Sequence, residues 1–330
     1  MLPLKRQRRY HSFSKNQGAR KELPIETEKT KETYSPAGPL PPALPAGIEE
    51  RWIPVAGGRM RYLQAGSGRA LILVHGLMGY SFSWRFTLPA LAPYATCYAI
   101  DNLGAGLSTA PEGMDCSVRA TAERILKFAD AAGIGDFDLL GTSHGGGVAI
   151  MTAALLAERR SLRPCLKRLI LVAPVNPWSP HGKRLAPFLV SPFGSLVFRH
   201  TIERWRPLDY LWLRRLFGDG AKIPADSLDG YRLPVLKNHA FRHAAHILEN
   251  WTADLGELER ALPTIRDYPT LLVWGTRDRA VHFASAEPLR RNFRDVRLIA
   301  FEGVGHLTYE EAPHEFNAAL IEFLTAGRPA

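Results

Sequence analysis

Cysteine is scarce in this 330-residue chain, which holds only Cys97, Cys116 and Cys165. Three thiols so spaced make neither a disulfide framework nor a Cys-based metal site, and they suit a reducing cytoplasm. No run of about 18 apolar residues occurs, so a helical membrane span is not expected. The first residues also lack the apolar stretch of roughly 7 to 15 positions that a secretory signal requires. A metal centre is equally unsupported. His239 and His243 have i, i+4 spacing, but no glutamate lies between them and no third ligand accompanies them. We read both as packed or solvated and expect no cofactor.

Negative charge is in the minority too: 42 Lys/Arg face 32 Asp/Glu, a formal net charge of +10 at pH 7. A basic chain can mark a nucleic-acid or anionic-membrane partner, so the location of the excess matters. Residues 1–47 hold nine basic against four acidic side chains, and residues 177–254 hold eleven against seven. The surplus sits in a tail and an insertion rather than along a groove. No nucleic-acid-binding motif accompanies it, and solvated charge is the simpler reading. The tail differs from the rest in composition. Lys5, Arg6, Arg8, Arg9, Lys15, Arg20 and Lys21 precede any acid, and Pro36, Pro39, Pro41, Pro42 and Pro45 then crowd together. Residues 1–47 are expected to form a disordered or extended basic, proline-rich arm.

What the remainder does have is apolar runs punctuated by glycine. Phe137-Asp138-Leu139-Leu140 reads as a strand, feeds into Gly141-Thr142-Ser143-His144-Gly145, and is followed by the helix-like Val148-Ala149-Ile150-Met151. This is a G-x-S-x-G nucleophile elbow in strand, turn, helix context. A turn tight enough to raise a serine hydroxyl above a sheet leaves no room for a Cβ two residues before or after it. Ser143 is therefore the candidate nucleophile, and the helix N-terminus behind it faces the space where negative charge would develop.

A nucleophile of this kind needs a base, and the base needs an orienting acid. Thr270-Leu271-Leu272-Val273-Trp274 reads as a buried strand, and Asp278 lies in the polar turn after it. Val296 to Phe301 reads as another strand, and His306 lies in the Gly-rich loop that follows. The turn after the strand Leu169-Ile170-Leu171-Val172 reads Ala173-Pro174-Val175-Asn176-Pro177 and holds no carboxylate, which leaves Asp278 as the acid. Among 11 histidines, His306 is preferred because it sits beyond a strand's carboxyl end, where open parallel sheets bind ligands.

Two further motifs complete the set. His75-Gly76-Leu77-Met78-Gly79 follows the continuous apolar run Ala70-Leu71-Ile72-Leu73-Val74, and Asp101-Asn102-Leu103-Gly104-Ala105-Gly106-Leu107-Ser108 follows the next strand. In this order the motifs resemble the α/β-hydrolase family, over most of the chain from about residue 51 to about residue 325. The resemblance implies an α/β fold: a mostly parallel eight-stranded sheet with helices on both faces, a mobile lid, and hydrolysis through an acyl-enzyme. It also implies that the backbone N–H groups of Leu77 and His144 form the oxyanion hole. The side chains of His75, Asp101 and Ser108 are read as holding turns. Serine at the elbow argues against the haloalkane dehalogenase and typical epoxide hydrolase branches, whose nucleophile is aspartate.

Almost a hundred residues separate the Leu169 and Thr270 strands, far more than one crossover helix needs. We expect a catalytic core over 48–176 and 255–330 and a helical lid over 177–254. The lid is rich in aromatics, among them Trp178, Phe188, Phe193, Trp205, Tyr210 and Trp212. Most must pack the lid onto the sheet, while Trp178, with Met78, Tyr80 and Trp84 beside the oxyanion loop, is a candidate for the pocket wall. An aromatic-lined pocket favours a lipophilic carboxylic ester of short to medium length over a charged or polymeric substrate. The partner expected is thus a small molecule, with neither nucleic acid nor a membrane surface involved. Carbon–carbon hydrolases, lactonases, thioesterases and perhydrolases share the triad and stay open, as does a non-catalytic binding protein on the same scaffold.

Overall fold

The computed structural model describes residues 44–109, 111–159, 165–179, 206–235 and 238–326, with isolated positions between 188 and 196. Apart from residues 44–47, the expected N-terminal arm lies outside the described residues, as does Trp205 of the insertion.

Eight strands form one sheet: β1 (Ile48–Val55), β2 (Gly58–Ala65), β3 (Ala70–Val74), β4 (Thr96–Ile100), β5 (Asp136–Thr142), β6 (Cys165–Val172), β7 (Thr270–Gly275) and β8 (Val296–Phe301). Their spatial order is β1-β2-β4-β3-β5-β6-β7-β8. Only β2 runs antiparallel to its neighbours β1 and β4; every other pairing is parallel. The unbroken apolar runs of β3, β6 and β7 follow from this position, because a central parallel strand is covered on both faces.

Alternate residues serve opposite cores, as the pleat requires. Ile72, Val74, Leu139, Leu171, Leu272 and Trp274 join one cluster with α2 (Val118–Ala131) and α3 (His144–Arg159). Leu71, Leu73, Leu140, Ile170, Val172 and Val273 join the other, with Leu88 and Leu91 of α1 (Leu88–Leu91) and with Phe316 and Leu320 from the C-terminal helix Pro313–Thr325. Helix α2 starts where Ser117 accepts the N–H of Ala120 at 3.2 Å, satisfying a donor that has no partner within the helix.

Between β6 and β7 the described residues include the helices α4 (Arg206–Leu216), α5 (Ser227–Val235) and α6 (Asn238–Ala261). Helix α6 runs unbroken through the expected boundary at residue 254. Its last turns belong to the first core through Leu255, Leu258 and Ala261, and the buried Asp254 accepts the Val118 N–H at 3.0 Å. Its earlier turns reach over the carboxyl ends of the strands. Helix α5 is tied to the core by polar bonds: Arg85 meets Glu310 at 2.7 Å and Asp226 at 3.1 Å, and Tyr80 donates to the Gly230 carbonyl at 2.9 Å. Among the described residues, no helix is long and apolar enough to cross a membrane.

Candidate active site

Strand β5 ends where the chain turns sharply into α3. Ser143 occupies the corner at φ +53°, a left-handed conformation that a side-chain-bearing residue adopts only under constraint. The constraint is local bonding. The Ser143 N–H donates to Val172 at 2.9 Å, and its carbonyl accepts from Val175 at 2.8 Å and Gly146 at 3.0 Å. A Cβ on Gly141 would lie 2.2 Å from the Gly145 oxygen, and one on Gly145 would lie 2.3 Å from the His75 oxygen. Any side chain at either position would force these backbones apart.

His306 lies in the loop after β8, and its Nδ1 is 2.7 Å from Oδ2 of Asp278. Asp278 stands in the turn after β7, where its other oxygen accepts the N–H groups of Ala280 at 2.7 Å and Val281 at 2.9 Å. Both side chains are buried. With Nδ1–H donating to the carboxylate, Nε2 is left as the lone-pair nitrogen, the form a general base requires.

Ser143 and His306 line one cavity of about 560 Å³, together with Leu77 and Met78 of the loop after β3. That volume is in the range of small-molecule sites. Its ceiling comes from the helices between β6 and β7: Trp212, Leu213 and Leu216 of α4, Tyr231 of α5, and Leu248 and Trp251 of α6. Three sequence candidates for its wall lie elsewhere. Tyr80 is buried against Phe82 with its hydroxyl on Gly230, Trp84 is buried against Tyr309, and Trp178 is 40% exposed with its N–H on the Asn176 side chain. None of the three lines the cavity, whereas Met78 does.

The alpha/beta hydrolase family model matches residues 71–319. The chain belongs to this family. It is similar to N-formylmaleamate deformylase of Pseudomonas putida, with 39% identity over 82% of this chain and 97% of that protein. It is also similar to haloalkane dehalogenase 2 of Mycobacterium tuberculosis, with 29% identity over 83% of this chain and 94% of that one. Among solved structures, a meta-cleavage product hydrolase shares 25% identity and a TM-score of 0.69, covering 83% of this chain and 97% of the other.

Several residues that shape the site of this α/β-hydrolase carry no motif in the sequence. The buried Glu311 accepts three backbone N–H groups: Gly305 at 2.7 Å, Gly218 at 2.8 Å and Asp219 at 2.8 Å. It thereby ties the His306 loop to the end of α4, whose Leu216 carbonyl accepts the His306 N–H at 2.7 Å. The His306 loop also touches the end of β7 through its backbone. A Cβ on Gly275 would lie 2.1 Å from the Gly305 oxygen. Glu310, next in line, holds Arg85, Ser227 and Tyr231, and so joins α5 to the core.

The turn-forming roles read for His75, Asp101 and Ser108 have matching bonds. Asp101 accepts the N–H groups of Ser81 at 2.8 Å and Leu107 at 2.9 Å, and Ser108 donates to the Asp101 carbonyl at 2.6 Å. The His75 Nε2 accepts the Asn102 N–H at 3.1 Å, which makes its Nδ1 the donor to Gly76. His243 is packed against Gly104 and sits 3.3 Å from the Cys116 sulfur; the side chain of His239 lies outside the described residues. Among the described residues, no group of side chains could hold a metal ion.

His75, His144 and His243 border a second, small cavity of about 20 Å³ behind the loop after β3. Burial holds all three in the neutral form, pushing His144 down to about 4 and His243 down to about 3. Below about pH 6.5 the unfolded chain binds protons that the folded chain excludes, so stability is full above that pH and falls as pH drops toward about 4. His144→Phe is expected to flatten this decline, as measured by urea unfolding at about pH 7.5 and about pH 5. An unchanged pH dependence would contradict the assignment. For the His306 loop, Glu311→Gln puts an amide donor among three N–H donors. We expect kcat/KM for hydrolysis to fall about tenfold or more and the melting temperature to drop, since charge-assisted bonds of this kind are worth roughly 1.5–3 kcal/mol. Wild-type kinetics in that variant would show the loop to be held without it.

Proposed function

We propose that this α/β-hydrolase is a serine hydrolase that cleaves a lipophilic carboxylic ester of short to medium size. One observation carries the reading: a serine on a strained corner and an imidazole bonded at 2.7 Å to a buried carboxylate open on the same 560 Å³ cavity. His306 takes the Ser143 proton as the hydroxyl attacks the acyl carbonyl, and Asp278 stabilises the imidazolium that forms. The backbone N–H groups of Leu77 and His144 receive the developing oxyanion, each worth roughly 3 kcal/mol in the transition state. His306 then gives its proton to the leaving alcohol. Water repeats the sequence on the acyl-enzyme, and no cofactor takes part.

The helices over the cavity act as a lid and exclude water from the reaction. Leaving groups other than an alcohol fit the same steps. The similarity to a protein named N-formylmaleamate deformylase favours, as a second reading, an N-acyl amide whose nitrogen takes the His306 proton. Halide displacement is a poorer fit, because an elbow with Ser143 lacks the carboxylate that the dehalogenase branch uses as nucleophile. The three free cysteines suit a cytoplasmic enzyme.

A fluorophosphonate probe is expected to label the wild-type protein and to leave Ser143→Ala unlabelled. Asp278→Asn should lower kcat/KM on a 4-nitrophenyl ester by about a thousandfold or more while the circular dichroism spectrum stays the same. Persistent labelling of Ser143→Ala, or near-normal turnover in Asp278→Asn, would reject these roles.

A further inference from the structure

The large cavity is mostly apolar, but two cationic side chains share its wall with Ser143 and His306: Arg215 from α4 and Arg279 from the turn that carries Asp278. Each adjoins in sequence a residue bonded to the His306 segment. Leu216, which accepts the His306 N–H, adjoins Arg215; Asp278, which bonds the imidazole, adjoins Arg279. Both arginines are exposed to solvent.

A solvated guanidinium needs no partner, but two on one cavity wall create a positive potential that attracts an anionic group entering the cavity. Here the nearby acids are engaged elsewhere. Asp278 is bonded to His306 and two N–H groups, Glu311 to three N–H groups, and Glu310 to Arg85, Ser227 and Tyr231. Among the described residues, no ion pair or hydrogen bond engages Arg215 or Arg279. The cavity wall thus holds two positive charges and no acid among its described residues, an arrangement that an anionic group on the ligand would complete.

We infer that the substrate carries a carboxylate, bound at the cavity mouth by Arg215 and Arg279, while its apolar body lies along the wall toward Ser143. The planar fork of arginine matches the two oxygens of a carboxylate, which gives direction as well as charge. This inference rests on the hydrolase reading above and sharpens it. It also departs from the sequence expectation of an uncharged substrate: an acyl compound with an apolar middle and an anionic far end replaces a simple lipophilic ester.

The test compares 4-nitrophenyl butyrate with the mono-4-nitrophenyl ester of glutaric acid, which adds a carboxylate at the acyl terminus. Wild-type kcat/KM should favour the anionic ester, with a preference that shrinks as salt is raised. In the double variant Arg215→Gln, Arg279→Gln the ratio of anionic to neutral kcat/KM should fall by about tenfold or more. Calorimetric titration of Ser143→Ala with the two esters separates recognition from chemistry. The half-ester should bind about tenfold or more tightly than the butyrate, and adding the arginine substitutions should remove the difference. Binding discrimination without wild-type turnover would sink the hydrolase reading and keep the anion site. Turnover of both esters with no discrimination in either assay would overturn the anion site and keep the hydrolase.

Discussion

The tightest constraint in this protein is backbone contact at the carboxyl ends of the central strands. Ser143 turns at positive φ because Gly141, Gly145 and the His75 carbonyl meet at distances that leave no room for a Cβ. The Gly275 and Gly305 backbones meet in the same way, bringing the acid turn against the histidine loop. Ser143 and His306, from distant parts of the chain, thus border one cavity, with Asp278 bonded behind the imidazole, on segments fixed by main-chain contacts. A chemical site that needs tolerances of a fraction of an ångström is here held by the least adjustable part of the structure.

Charge is managed with comparable economy around that contact. Three buried carboxylates around the site have designated donors: Asp101 the N–H groups of Ser81 and Leu107 and the Arg61 guanidinium, Asp278 two amides and an imidazole, Glu311 three amides. The histidines behind the loop after β3 are kept neutral by burial. The Arg215 and Arg279 pair stands out against this background, because it alone faces the reaction cavity without an acid among the described residues.

Much of this was readable from the sequence where chemistry and steric need coincide. Gly-flanked Ser143, the polar turn at Asp278 and the Gly-rich loop at His306 each follow an apolar strand run, and the sheet brings the three runs side by side as β5, β7 and β8, with β6 between the first two. The continuous hydrophobicity of β3, β6 and β7 announces a parallel sheet covered on both faces. Glu311 was not legible, because a carboxylate that binds three amides looks like any helical glutamate until the loops around it are placed. The pocket wall was misjudged for a related reason. Tyr80 and Trp84 neighbour the loop after β3 in sequence, yet their rings turn into the core against Phe82 and Tyr309, while Tyr231 and Trp251 arrive from helices whose facing side chains periodicity alone does not orient. The continuity of α6 through residue 254 was hidden likewise, since one helix serves both the core and the cavity ceiling.

The central claim is that the Ser143 hydroxyl carries the acyl group during turnover. Rapid acid quenching during hydrolysis of a 4-nitrophenyl ester, followed by peptide mass spectrometry, tests it most directly. A covalent acyl adduct on the Ser143 peptide is predicted, appearing within the first turnover and disappearing when substrate is exhausted. Full turnover with that peptide unmodified, or with the adduct on another residue, would contradict the account.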